Sequence, residues 1–338
     1  MTAPELKKLK SILSRPRKIV IVTHWSPDGD AMGSSLGLYN YLTKKKHKVN
    51  VITPNDYPPF LSWLPGNARV LNFQMDQPKA EKLIAASDLI FCLDFNSLQR
   101  IDKMGPVVEK APAPKVMIDH HLQPGNWATF MHHSVKACST CELIYTFMEL
   151  LGDRKLLDKK IANCLYTGIM TDTGSFRYPS TTADTHRIVA GLIDAGAQNG
   201  EIHNRVYDDN TESRLKLLGY CLCEKMVVMK DYHTGYITLT EEEQKRFNYQ
   251  KGDTEGLVNY ILSMSGMKFA AFLTDRDGII KISFRSKGNF DVNTFARNYF
   301  SGGGHKNAAG GMSAEKLEPT LEKFRTIVHG MKKELSRP

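Results

Sequence analysis

The sequence predicts an α/β protein, with a doubly wound, mostly parallel sheet joined by a helical linker to a smaller α/β domain with a mixed sheet. Three observations carry that expectation. Short β-branched runs alternate with helix-length segments through the first half, the pattern of a parallel sheet covered by helices. One of those runs ends in Asp, one ends in His and a third leads straight into His24, and in such sheets ligands bind beyond the carboxyl ends of the strands. The 338 residues amount to about two domains.

Residues 18–23 form the first β-branched run, and residues 31–42 read as the helix that follows it. Further strand-like runs cover 49–53, 89–94 and 116–121. From 181 to 226 the pattern turns helical and polar, with Thr182-Ala183-Asp184-Thr185 as a helix start. Strand character resumes at 235–239, 269–273 and 279–285, and Asp275-Arg276-Asp277-Gly278 predicts a hairpin between the last two. A helix over 317–332 closes the chain. The expected division is a first domain over 1–190, a linker over 191–227 and a second domain over 228–338.

Composition narrows the function. With 41% hydrophobic and 24% charged residues, the chain has enough apolar content for a packed core and does not read as disordered. No run approaches the ~20 apolar residues of a membrane span. The first residues, Met-Thr-Ala-Pro-Glu-Leu-Lys-Lys, lack the apolar run of a signal peptide, so the expected location is the cytoplasm. The excess of 45 basic over 36 acidic residues, +9, permits an anionic partner without identifying one. The scattered cysteines fit a reducing compartment. Cys138-x-x-Cys141 has only the distant Cys221-x-Cys223 to complete a zinc set, so these are read as buried thiols.

The strongest local signal is Thr23-His24-Trp25-Ser26-Pro27-Asp28-Gly29-Asp30-Ala31-Met32-Gly33-Ser34, directly after the first strand. One imidazole and two carboxylates on a tight turn suit Mn²⁺ or a similar divalent ion. Gly33 and Gly37 would let the next helix approach the sheet. Asp94, Asp119-His120-His121 and Thr171-Asp172-Thr173-Gly174-Ser175-Phe176 also lie at ends of expected elements. Together these donors suffice for two ions sharing a carboxylate, an arrangement used for in-line attack at phosphorus. Farther on, Gly302-Gly303-Gly304-His305 would bring backbone amides close to an anion. Residues 307–309 would then begin a helix whose N-terminus favours phosphate, and Arg285 could grip phosphate in a fork. Trp25 and Phe176 could stack on a base or pack into the core.

Read in order, these motifs resemble the DHH phosphoesterase family. Phe284-Arg285-Ser286, Asp291-Val292-Asn293 and the Gly-Gly-Gly-His segment resemble its DHH-associated C-terminal domain, and the nearest type is the nanoRNase. The resemblance implies that His24, Asp28 and Asp94 hold one manganese, and that Asp30, Asp94, His120 and Asp172 hold a second. Asp119 would orient an imidazole, and His121 would contact the scissile phosphate. Arg285, Asn293, Gly302, Gly303, Gly304 and His305 would hold the far end of the substrate. The implied activity is manganese-dependent hydrolysis of short oligoribonucleotides to mononucleotides by a metal-bridged hydroxide, with 3′-phosphoadenosine 5′-phosphate as a second substrate. The alternative is a cyclic di-AMP or linear dinucleotide phosphodiesterase. The resembling family often forms dimers, which leaves a homodimer open, and no membrane partner is expected.

Overall fold

The computed structural model describes residues 1–276 and 278–336. The chain divides into two compact units, Met1–Asp209 and Asn210–Pro338, so residues 191–227 are shared between them.

In the first unit α1 (Ala3–Ile12) leads into β1 (Lys18–Thr23). Then come α2 (Gly29–Lys44), β2 (Lys48–Thr53), β3 (Val70–Asn72), α3 (Gln77–Ala85), β4 (Leu89–Leu93), α4 (Met104–Lys110), β5 (Lys115–Asp119) and β6 (Phe130–His133). The six strands form one parallel sheet in the order β3-β2-β1-β4-β5-β6. Alternate residues of β1 serve opposite faces: Ile19 and Ile21 join one core cluster, Val20 and Val22 another. Helices on both sides explain why β1 and β4 read as unbroken apolar runs. The edge strands β3 and β6 were not expected, because three or four residues are too few for a periodic signal. Strand order reverses between β1 and β4, which opens a crevice at their carboxyl ends.

The unit continues through α5 (Thr140–Leu151), α6 (Lys159–Asp172), α7 (Ala183–Asp194) and α8 (Asn199–His203). Thr182 caps α7 in a capping box with Thr185, as the sequence suggested. Gly33 serves a different contact from the one expected. A Cβ there would lie 2.5 Å from the Cys164 carbonyl oxygen on α6 and 3.0 Å from Cys141 Sγ on α5. Its bareness therefore lets α2 meet neighbouring helices rather than the sheet, and Gly37 likewise faces Leu165.

The second unit comprises α9 (Glu212–Tyr220), β7 (Met226–Met229), β8 (Thr234–Leu239), α10 (Glu241–Arg246), α11 (Leu257–Ser263), β9 (Phe269–Arg276), β10 (Ile279–Ser286), α12 (Val292–Tyr299), β11 (Gly303–His305), β12 (Ala308–Ser313), α13 (Leu317–Gly330) and α14 (Lys332–Ser336). Its sheet runs β11-β12-β10-β9-β8-β7 and is mixed, with only β8 and β9 parallel among neighbours. The expected hairpin joins β9 to β10, with Arg276 opposite Ile279; Asp277 lies outside the described residues. One core packs Phe269, Phe284, Phe295 and Phe324 together, with Phe269 and Phe295 ring centres 4.9 Å apart. Residues 308–313 correct the expectation of a helix: they are β12, paired antiparallel with β11 and β10. Gly310 and Gly311 would each cost a helix about 1 kcal/mol, whereas they let strands approach closely.

Candidate metal centre

Four segments bring their polar ends to the crevice between β1 and β4. The turn after β1 carries His24 and Asp28; Asp28 caps α2 by accepting from the amides of Asp30 and Ala31, both at 3.0 Å. Asp94 follows β4 in a left-handed conformation, φ 65°. Asp119 ends β5 and His120 and His121 follow it, while Asp172 ends α6.

These groups form two adjoining clusters, His24–Asp28–Asp94 and Asp30–His120–Asp172, each with donor atoms within 4.8 Å of one another. His24 Nε2 lies 3.4 Å from Asp94 Oδ2 and 3.8 Å from Asp28 Oδ1. His120 Nε2 lies 3.5 Å from Asp94 Oδ1, 3.5 Å from Asp172 Oδ2 and 3.8 Å from Asp30 Oδ2. Asp94 therefore faces both clusters. Each imidazole is fixed through its other nitrogen, His24 Nδ1 to the Trp25 carbonyl at 2.8 Å and His120 Nδ1 to the Ala137 carbonyl at 3.3 Å. Donation from Nδ1 leaves Nε2 as the ligand atom on the carboxylate side. His121 turns its Nδ1 to Asp119 Oδ1 at 2.7 Å, so Asp119 orients His121 in particular.

Electrostatics show what this set requires. Burial pushes the Asp30 carboxyl well above its usual range, and the neighbouring Asp94 and Asp172 push it further. Burial lowers His24 and His120, but the surrounding carboxylates outweigh it and lift them to about 10 and about 9. Buried carboxylates that repel one another beside imidazole nitrogens, with no thiolate among the donors, fit hard divalent cations.

Thr140 also belongs to the site, although no side-chain motif in the sequence singles it out. Ser139 caps α5 by accepting from the Glu142 amide at 3.0 Å, which points the first turn of the helix at the cluster. The amides of Thr140 and Cys141 donate to the two oxygens of Asp30 at 2.6 and 2.9 Å, and Thr140 Oγ1 donates to Asp94 Oδ1 at 2.9 Å. One residue thus holds a carboxylate of each cluster. The available signal was Ser139-x-x-Glu142, a helix-start pattern. Thr140→Val removes the hydroxyl and keeps the amides. It is expected to weaken Mn²⁺ binding about 10- to 100-fold in calorimetric titration, with Thr140→Ser restoring it.

The residues expected to hold the substrate's far end lie in the second unit. Arg285 sits near the end of β10 opposite Ala308, its Nη1 donating to the Phe284 carbonyl at 3.0 Å. Asn293 is buried, and its Oδ1 accepts from the Gly304 amide at 3.0 Å and Arg297 Nε at 3.1 Å. Its visible role is thus to shape the glycine segment. Gly302 packs tightly, since a Cβ there would lie 1.9 Å from the Gly310 carbonyl oxygen; Gly303, Gly304 and His305 form β11. Phe176 is partly buried and packs against the first unit's core, 5.9 Å from the Tyr166 ring. Trp25 lines a cavity of about 180 Å³ with Phe73, Ile101 and Met104. All six cysteines are free thiols and five are buried.

The DHH family N-terminal domain matches residues 18–169 and the DHHA1 domain residues 232–334. The bifunctional oligoribonuclease and PAP phosphatase NrnA of Thermus thermophilus is 30% identical over 325 residues, 94% of this chain and 90% of that protein. The cyclic-di-AMP phosphodiesterase PdeA of Listeria monocytogenes is 26% identical over 89% of this chain and 46% of PdeA. A solved structure of an exopolyphosphatase-related protein from Bacteroides fragilis matches with a TM-score of 0.94 at 42% identity, over 99% of this chain and 98% of that one. Matched in both domains and along nearly its whole length, the chain belongs to the DHH family of phosphoesterases, hydrolases of phosphodiester bonds.

Proposed function

We propose that this phosphoesterase uses two manganese ions to cleave oligoribonucleotides of a few residues into mononucleotides, and that it also removes the 3′-phosphate of 3′-phosphoadenosine 5′-phosphate. The observation that carries the proposal is the pair of clusters meeting at Asp94. His24, Asp28 and Asp94 would hold one ion; Asp30, Asp94, His120 and Asp172 would hold the other. Two such ions, when bound, offset phosphate charge and make a nucleophile available from water at neutral pH.

The chain's own groups do the rest. Asp119 holds the His121 imidazole so that its other nitrogen can donate to the scissile phosphate and stabilise charge developing there. Arg285 and the segment Gly302, Gly303, Gly304 and His305 bind the far phosphate of the substrate, with Asn293 shaping that segment by accepting from the Gly304 amide. The near end-to-end similarity to NrnA supports short RNA as the substrate. A second reading, cyclic di-AMP turnover, is favoured by the similarity to PdeA.

The test is to incubate the chain with Mn²⁺ and, separately, a 5′-phosphorylated diribonucleotide, cyclic di-AMP, phosphoadenosine phosphate and a long single strand. Diribonucleotide should turn over fastest. Comparable cleavage of the long strand would refute the short-substrate reading, and preference for cyclic di-AMP would establish the second. Arg285→Ala should raise KM for the diribonucleotide about 10-fold with kcat nearly unchanged, as expected when binding common to ground and transition states is lost. A collapse of kcat at constant KM would instead put Arg285 at the reacting phosphate.

A further inference from the structure

The acid cluster occupies the carboxyl ends of the strands. The amino-terminal ends of the same sheet carry the opposite charge. Three segments meet there: 15–18 entering β1, 44–48 between α2 and β2, and 153–160 between α5 and α6. They are joined by direct contacts. Lys18 and Lys48 are register partners on adjacent strands, and the Lys48 amide donates to the Arg17 carbonyl at 2.8 Å. Lys44 Nζ donates to the Leu156 carbonyl at 2.9 Å, and Lys45 pairs with Asp153.

The three segments hold eleven Lys and Arg against two acids, a surplus of nine. Adding the nearby Asp88 and Glu149 lowers this to seven, still most of the chain's +9. The acids present are already engaged: Asp158 with Lys44, Asp153 with Lys45 and Glu149 with Arg154. Lys18, Lys46, Lys48, Lys155, Lys159 and Lys160 are exposed, and none of their ammonium groups pairs with a carboxylate within 4 Å among the described residues.

We infer that this rim is a docking surface for the phosphate backbone of long single-stranded RNA, separate from the hydrolytic crevice. Backbone binding needs little beyond a dense row of cations that displace counterions. A protein partner would call for an apolar centre, and insertion into a membrane for apolar anchors; the three segments expose no large apolar side chain among the described residues. The six residues of β1, at ~3.3 Å each, set the rim ~20 Å from the acid cluster. RNA held on the rim is therefore bound by groups separate from those of the crevice.

The test uses the full chain with Mn²⁺ and a fluorescent oligouridylate of about 30 nucleotides with hydrolysis-resistant linkages. Binding should weaken with salt at a log–log slope of about 3, the value for four or five neutralised phosphates on a single strand. The triple variant Lys46→Gln/Lys155→Gln/Lys159→Gln should weaken binding about 10-fold and lower the slope by about 2. Its kcat/KM for diribonucleotide should stay within about two-fold of the parent chain. Excess AMP should not displace the long RNA. Absence of salt-dependent binding, an unaffected triple variant, or displacement by AMP would overturn the inference. Binding to phosphatidylserine vesicles without binding to RNA would overturn it too, in favour of a membrane. The inference does not rest on the proposed substrate, so failure to cleave diribonucleotide would leave the RNA-binding result readable.

Discussion

Asp94→Asn is expected to lower turnover of diribonucleotide by roughly 10³-fold or more, since it removes a charge required by both proposed ions. Asn is the informative replacement. It tolerates the left-handed backbone found at this position, and it can still accept from Thr140 Oγ1. Circular dichroism should therefore report an intact fold, while Mn²⁺ titration reports weakened binding at both sites. An Asp28→Asn variant should disturb one site more than the other, because Asp28 belongs to a single cluster. Turnover within about 10-fold of the parent chain would refute the shared role of Asp94.

The second large effect concerns pH and metal together. In the ion-free chain His24 and His120 are held protonated by surrounding carboxylates, with pKa values of about 10 and about 9. An unfolded histidine titrates near 6.5. The stability these imidazoliums contribute is fully present below about pH 6.5, declines above it, and is exhausted once the pH passes 9 to 10. EDTA-treated protein should thus lose about 5 °C or more in Tm between pH 6.5 and 9.

Bound ions require neutral imidazoles and would replace that contribution. Mn²⁺ at about 100 times its Kd should add about 2.7 kcal/mol per site, and its affinity should rise with pH as protons cease to compete. Scanning calorimetry across pH, with and without ion, checks both. A flat ion-free profile would show that the two imidazoles are neutral without the ion.

The site's legibility follows from how each residue contributes. His24, Asp28, Asp94 and His120 stand beside strand runs that announce themselves, so side-chain chemistry and strand position coincided in the sequence. Thr140 was hidden because two of the three groups it and Cys141 provide are backbone amides, which carry no sequence letter. Its partners Asp30 and Asp94 also lie far away along the chain. The fold followed the same rule. Long apolar strands were readable, whereas β3 and β6 are too short to show a period. Residues 308–313 were misread because a glycine-flanked alanine pair looks helical until the partner strand is known. Gly33 was recognised as a close-contact glycine, but its partner, Cys164 on α6, was not visible locally.

The cluster draws on Asp28, Asp94, His120, Thr140 and Asp172, five separate stretches of one sheet and its covering helices. No contiguous fragment shorter than that span contains the set. During synthesis the Asp30–His120–Asp172 cluster could not form until Asp172 had left the ribosome and α6 had docked. Ion uptake at that cluster would then be a late event, one that follows docking of α6 and, once made, ties α6 to the start of α2.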